Sequence, residues 1–152
     1  MIDSKLFAEY AKHPQLALQN LSHLLALLES EDETELNFAT DLLENCGAPS
    51  LSDIPFLCGQ LKSGRSSQVY WCCTLLGRIG PTVGDRKKLD SIQTELCFVV
   101  NNESLELSAR ERAAWAIGEL GALDSSCRTV LEMQFEKAPA RLKRLLESAL
   151  AT

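Results

Sequence analysis

The sequence predicts an all-α protein in which about three to four helix pairs stack into a right-handed superhelix, with a last helix capping the end. The first observation is a helical stretch with a narrow apolar face. Ala113, Ala116, Ile117 and Leu120 recur at spacings of three and four, which places them on one side of a helix. Gly121 follows, where a helix commonly ends in a left-handed residue.

Two upstream stretches repeat this template. In each, apolar residues fill the same helical positions and a glycine comes next. The copies are Cys72, Leu75, Leu76, Ile79 and Gly80, and Ala39, Leu42, Leu43, Cys46 and Gly47. Successive terminal glycines are 33 and 41 residues apart. A period of that size is typical of helical repeat arrays.

The stretch Arg110 to Gly121 resembles the first helix of a HEAT-like repeat, in the degenerate form shared with bilin-lyase (PBS-lyase-type) repeats. That pattern reads V-R-x-x-A-x-x-A-L-G-x-x-G. It is matched at Arg110, Ala113, Ala116, Ile117, Gly118 and Gly121. The copy ending at Gly80 has Val69 in place of the arginine, and the copy ending at Gly47 has Glu44 in place of the inner glycine. The resemblance covers residues 34–136 and implies an α-solenoid, but no activity.

Residues 1–30 are expected to form N-terminal helices or a degenerate repeat. Asp3 or Ser4 can cap a helix that runs to about Lys12, and Pro14 can begin a second helix that continues to Glu29. The second helix is rich in leucine. Its apolar face is Leu18, Leu21, Leu24, Leu25, Leu27 and Leu28.

Three repeats are expected at residues 34–63, 66–100 and 107–136 of a single domain, 1–152. Their predicted helices are 34–46, about 54–61, 66–79, Val83 or Asp85 to 100, 107–120 and 124–136, with a turn at Gly80-Pro81. Asp124 is the expected N-cap of the last of these. Residues 138–151 then form an amphipathic capping helix, because an array must close its exposed end.

Charge and cysteine usage favour an ordinary cytoplasmic protein. The net charge is −6, and residues 1–76 hold 4 Lys and Arg against 10 Asp and Glu. This acidic half disfavours nucleic acid as a partner. The six cysteines lie inside apolar patterns, so we expect them to be reduced and mostly buried. The chain starts without a secretory pattern and has no apolar run long enough for a membrane span.

The residues do not predict catalysis, a metal or a cofactor. Only two histidines are present, His13 and His23, and neither has a carboxylate or cysteine at a ligand spacing. Gly77 to Gly80 and Gly118 to Gly121 lie at helix C-termini, which is the wrong end of the helix dipole for binding phosphate. We therefore expect a protein that is not an enzyme.

The favoured function is a scaffold that binds a protein or peptide on the concave face formed by the second helix of each pair. Exposed residues expected there are Gln60, Lys88, Ser91 and Glu95. Trp115 lies off its helix's apolar face, so it either anchors a partner or covers the neighbouring repeat. The acidic first half favours a partner with a basic segment. Arg110 is expected to pair with an acid or a helix end.

The sequence leaves two other functions open. The repeat type alone suggests a bilin-lyase-like subunit or accessory chain, which would need a larger partner to supply the chemistry. Some HEAT-like proteins bind nucleic acid, but the net charge and the lack of a basic stripe interleaved with aromatic residues weigh against that function here.

Overall fold

The computed structural model describes residues 4–80 and 83–152, which form nine α-helices and no β-strand. The predicted all-α class is therefore confirmed for the described chain. The helices are α1 (Ser4–Lys12), α2 (Leu21–Leu27), α3 (Glu33–Asn45), α4 (Ile54–Ser63), α5 (Ser66–Ile79), α6 (Arg86–Asn101), α7 (Leu107–Leu120), α8 (Ser125–Lys137) and α9 (Ala140–Leu150). Asp3 and Pro81, assigned above to a cap and a turn, lie outside the described residues. No helix within these two ranges is long and apolar enough to cross a membrane.

Capping side chains fix several helix starts where the sequence places them. The Asp85 carboxylate accepts the Lys87 backbone N–H at 2.9 Å, so α6 begins after Asp85. The Asp124 carboxylate accepts the Cys127 N–H at 2.9 Å and starts α8 in the same way. Each bond satisfies one of the amide donors that a helix leaves unpaired in its first turn.

The glycine of each template copy has a positive φ. The angle is 80° at Gly47, 52° at Gly80 and 66° at Gly121. Side chains with a Cβ avoid this region, so glycine at these positions lets the chain leave the helix without strain. The repeated helix endings predicted from the sequence are confirmed.

The single helix predicted from Pro14 to Glu29 is wrong. Residues Pro14–Gln19 form a 3₁₀-helix, and α2 begins only at Leu21. Between them Asn20 has φ −132°, and its side-chain amide donates to the Leu16 carbonyl at 3.2 Å. An asparagine side chain that bonds to nearby backbone competes with helix continuation, and an apolar stripe alone does not reveal this competition.

The chain divides into two compact units, Met1–Ala48 and Pro49–Thr152. In the first, α1 to α3 and the 3₁₀-helix enclose a small leucine-rich core, with the Tyr10 and Phe38 rings edge to face at 5.8 Å. The boundary falls inside the repeat predicted for residues 34–63, so α3 and α4 belong to different units. The single domain expected from the sequence stays a prediction.

The second unit contains two rows of helices. In the first-helix row, α5 contacts α7 and α7 contacts α9; in the second-helix row, α4 contacts α6 and α6 contacts α8. The most extensive contacts between consecutive helices join α4 to α5, α6 to α7 and α8 to α9. These contacts cross the boundaries of the predicted repeats. Apolar side chains between the rows are fully buried, including Leu57, Leu75, Leu76, Ile92, Leu96, Ile117, Leu131 and Leu142.

Polar side chains tie the helix ends of this unit together. Arg110 donates from Nε to the Val100 carbonyl at 2.9 Å, and from Nη2 to the side chain of the buried Gln134 at 3.2 Å. The expected pairing of Arg110 with a helix end is therefore observed. The buried Gln93 donates to the Gly121 carbonyl at 2.7 Å and holds the connection between α7 and α8.

Candidate functional site

The outward side of α6 carries a stripe that begins with predicted residues and ends in an aromatic ring. Lys88, Ser91, Glu95 and Phe98 follow one another at spacings of three and four, which puts them on one side of the helix. A different side of α6 faces the core. It consists of Leu89, Ile92, Leu96 and Val99, all buried. The core thus fixes the rotation of α6 and turns Phe98 toward solvent.

Among the aromatic side chains whose exposure the structure describes, Phe98 is the most exposed, with 66% of its surface accessible. It lies between two grooves and lines both of them. The groove between α4 and α6, called groove A below, has a volume of about 450 Å³. The groove between α6 and α8, called groove B, has a volume of about 140 Å³. An exposed phenylalanine flanked by two grooves forms an apolar ridge between them.

Groove A combines apolar walls with an ion pair. Its lining is Leu61, Lys62, Glu95, Phe98, Val99, Asn101 and Asn102. Lys62 Nζ lies 3.1 Å from Glu95 Oε1, joining α4 to α6. The Lys62 side chain is 67% exposed, whereas that of Glu95 is only 16% exposed. The carboxylate is therefore largely shielded from solvent, and the ammonium group is not.

One oxygen of Glu95 is left without a partner. Oε2 is buried and accepts no hydrogen bond from any residue the structure describes. A shielded carboxylate oxygen without a donor is costly, since it has lost water and gained nothing in exchange. Glu95 also acts on a neighbouring thiol: burial first, and the Glu95 charge second, raise the pKa of Cys58 to about 11. The Glu95 side of groove A therefore favours an incoming donor or cation.

Groove B is more apolar. Its lining is Thr94, Cys97, Phe98, Asn101, Ser126, Cys127 and Val130. One helical turn beyond Val130 on α8 is Met133, which is 69% exposed. Phe98 and Met133 are the two most exposed large apolar residues among the side chains that the structure describes. Both belong to the second-helix row.

The pKa shifts of the cysteines differ in direction. All six are free, and five are buried as predicted, with Cys58 half-buried. Burial, followed by the charge of Cys58, raises the pKa of Cys72 to about 12. The hydrogen bond to Cys127, with burial, raises the pKa of Cys97. A nucleophilic cysteine needs a lowered pKa, and these three have the opposite. The hydrogen bond with Cys97 lowers the pKa of Cys127, but that side chain is buried.

The predicted binding residues have different surroundings. Lys88 and Ser91 are exposed on α6, and Glu95 lines groove A. Gln60 is half-buried on α4 and lines neither groove. Trp115 belongs to the first-helix row, where its ring lies against Gly77. Trp115 was expected either to anchor a partner or to cover a neighbouring repeat. Its ring packs against the neighbouring helix α5.

Sequence reasoning missed Phe98, Met133 and Lys62. A signal for Phe98 was present, because it continues the Lys88, Ser91 and Glu95 spacing by three residues. A large apolar residue on the polar side of an amphipathic helix breaks the pattern and marks a contact surface. Lys62 could not be found this way, since its contact with Glu95 depends on how α4 packs against α6.

The fold and these grooves define an all-α protein with an apolar ridge on one helix row. Within the described residues no group of three or more His, Cys, Asp or Glu side chains could hold a metal ion. Comparison with protein-family models, curated proteins and solved structures found no match.

Proposed function

We propose that this chain is a non-enzymatic scaffold whose second-helix row binds a segment of a protein or peptide partner. The observation that carries the proposal is Phe98, 66% exposed and set between grooves A and B. Solvent-facing apolar clusters with polar surroundings are typical of interaction sites. Fully burying a phenylalanine contributes about 1.5–3 kcal/mol, enough for one ring to anchor an interface.

The chemistry of the partner follows from Glu95. Glu95 lines groove A, and its Oε2 accepts no hydrogen bond from the described residues. An N–H donor from a partner that reaches this oxygen through the groove would satisfy it. A lysine or arginine would do so best, because charge-assisted hydrogen bonds are the stronger kind. The partner segment that we propose therefore presents an apolar side chain to Phe98 and a basic side chain to Glu95. This choice agrees with the acidic balance of residues 1–76.

The proposal includes a HEAT-like arrangement of the second unit. Its support is the pair of rows, in which α5, α7 and α9 contact in series and α4, α6 and α8 do the same. In stacked helix pairs one row lines the concave side, where partners usually bind. In this proposal the second-helix row is that side, and α9 closes the end of the array.

The test is photocrosslinking from position 98. A photoreactive phenylalanine analogue replaces Phe98 with little change in shape, and the same analogue at Phe56 is the matched control. Phe56 is also an exposed phenylalanine, at 37%, and it lines neither groove. In native extracts we expect a defined protein to crosslink from position 98 and not from position 56.

Measurements of binding affinity for the crosslinked partner then test the role of Phe98. Phe98→Ala should weaken binding roughly tenfold or more, given the burial energy of a phenylalanine, while Phe56→Ala should not. Both variants should retain the helical content of the parent. Equal crosslinking from positions 98 and 56, or binding that ignores Phe98→Ala, would remove the second-helix row as the binding face.

A further inference from the structure

The first-helix row contains a second, more polar pocket. Its volume is about 280 Å³, and α5, α7 and α9 all contribute to its walls. Tyr70 and Trp115 supply aromatic surface, while Arg112, Arg141 and Glu111 supply charge. Groove A and groove B share no residue with this pocket. The partner proposed above leaves it unexplained.

Arg112 is held in one orientation at the pocket. Its guanidinium carbon lies 4.0 Å from the Trp115 ring centre and 5.3 Å from the Tyr70 ring centre. Its Nε donates to the hydroxyl of the buried Thr74 at 2.7 Å. Thr74 donates in turn to the Tyr70 carbonyl at 2.9 Å. Both rings lie within cation–π distance of the guanidinium, and Thr74 accepts the hydrogen bond from its Nε.

The other edge of Arg112 has no partner. No described residue accepts a hydrogen bond from its two terminal nitrogens, although the group lines the pocket. A guanidinium that already contacts two aromatic rings and donates from Nε has little freedom left to lose. Its two terminal nitrogens form a planar fork whose spacing matches the two oxygens of a carboxylate.

The charges of the lining favour a single negative charge. Arg141 Nε pairs with Glu111 Oε2 at 3.0 Å, and the Glu111 side chain is only 14% exposed. This pair neutralises itself and leaves the charge of Arg112 uncompensated. One free guanidinium beside a carboxylate suits a monoanion better than a phosphate dianion, which would meet repulsion from Glu111. Leu145 and the Trp115 ring offer apolar contact for the rest of the ligand.

We propose that the pocket at Arg112 binds a carboxylate carried on a small apolar group. Two sources share this chemistry: a small organic acid, and the free C-terminus of a peptide that ends in an apolar residue. Arg112 binds the two carboxylate oxygens through its terminal nitrogens. Trp115 and Leu145 cover the apolar part, and Thr74 keeps the guanidinium oriented.

The test uses pairs of ligands that differ only in charge. The small-molecule pair is phenylacetate and phenylacetamide; the peptide pair is a short peptide ending in leucine with a free or an amidated C-terminus. Binding is followed by NMR at the indole N–H of Trp115, with that of Trp71 as an internal reference, because Trp71 is buried and does not line the pocket. We expect the acids to shift the Trp115 signal and the amides to leave it unchanged.

Variants connect binding to Arg112. Arg112→Gln should weaken acid binding about tenfold or more, as expected for lost hydrogen bonds to a charged group. Arg144→Gln is the control, since Arg144 is an exposed arginine on α9 outside the pocket lining. If Arg112→Gln fails to fold, Arg112→Lys keeps the charge without the fork and should also weaken binding. The NMR signal of the Arg112 Nε–H should also shift when an acid binds to the unaltered protein, and this measurement needs no variant.

The outcomes separate the two sources and can overturn the proposal. Tighter binding of the free peptide C-terminus than of phenylacetate identifies a peptide as the source, and the reverse order identifies a small acid. Equal shifts from acids and amides, equal binding of inorganic phosphate, or acid binding that ignores both Arg112 variants would each refute it. Phe98→Ala should leave this titration unchanged, so the result is independent of the scaffold proposal.

Discussion

Trp115 of α7 lies so close to Gly77 of α5 that no side chain fits between them. A Cβ added to Gly77 would come within 2.4 Å of Trp115 Cζ3 and 3.1 Å of the Ala116 Cα. Both distances are shorter than van der Waals contact. The close approach of α5 and α7 therefore depends on a residue without a side chain at position 77.

Gly77→Ala should destabilise the protein for this reason. Forcing a methyl group into a filled contact costs about 1–3 kcal/mol. Gly59→Ala is a matched control, because Gly59 is also within a helix, and a Cβ there would meet nothing within 4 Å. That change should instead stabilise by about 0.5–1 kcal/mol, the usual gain of alanine over glycine in a helix. Urea unfolding of both variants measures the difference, and the same sign of effect at the two sites would contradict the packing.

Ala116→Leu tests the same interface from the α7 side. Ala116 is fully buried, and its Cα is among the atoms nearest to Gly77. Overpacking of such a site costs about 1–3 kcal/mol. Ala140→Leu is the comparison, since Ala140 is exposed on α9. A melting temperature unchanged by Ala116→Leu would mean that the contact can open without cost.

The helix framework could be predicted from the sequence because it depends on local signals. The bounds of α5 (Ser66–Ile79) and α7 (Leu107–Leu120) agree with the prediction, and Asp124 caps α8. Each of these features involves residues within a few positions of one another. The 3₁₀-helix at Pro14–Gln19 was missed, because a leucine stripe fits two short helices with a break at Asn20 as well as one long helix.

The two sites were less predictable because they form between helices. Trp115 and Arg112 are one turn apart on α7, but Thr74 and Tyr70, which hold the guanidinium, come from α5. Similarly, Glu95 was predicted as an exposed position, and only the packing of α4 shows that it is shielded and paired with Lys62. Spacing along the chain predicts which face of its helix a residue lies on, but it does not predict which other helix packs against that face.

Thiol labelling should reflect the burial of the cysteines and the raised pKa of Cys58. Cys58 is half-buried, and its pKa is about 11, mainly because of burial. Since the thiolate is the reactive form, iodoacetamide should modify Cys58 slowly at pH 7.5, and the rate should rise about tenfold per pH unit. The other cysteines should react only after unfolding. Labelling of the denatured protein measures that reaction. Rapid modification of four or more thiols in the native protein would contradict this.

The same pKa values predict a loss of stability in alkaline solution. In the unfolded chain a thiol loses its proton near its ordinary value of 9.0, whereas folding holds the proton on Cys58 until about pH 11 and on Cys72 until about pH 12. Above pH 9 the unfolded state therefore binds fewer protons, and the free energy of unfolding falls as pH rises. Denaturant unfolding between pH 8 and 10.5 measures the fall. Cys58→Ala should make this fall in the free energy of unfolding smaller. A free energy of unfolding that does not change with pH in the parent protein would contradict the raised pKa values.

The charge of the partner segment can be read from two positions on α6. For the partner identified by crosslinking at position 98, Glu95→Gln should weaken binding, because it removes the anion that a basic side chain would contact. The exposed Lys88 is part of the same stripe, and Lys88→Glu should strengthen binding by removing a like charge. Lys88→Glu should leave the free energy of unfolding within about 0.5 kcal/mol, as for ordinary surface changes.

Salt gives an independent measure of the same contact. Exposed charges are screened over about 10 Å at 0.1 M salt, so the parent complex should weaken as salt rises, and the Glu95→Gln complex should respond less. Titration calorimetry at 50 mM and 300 mM salt separates the two responses. If Lys88→Glu weakens the complex and Glu95→Gln strengthens it, the partner segment is acidic. Groove A would then bind it by its apolar walls, and the unpaired oxygen of Glu95 would play no part in recognition.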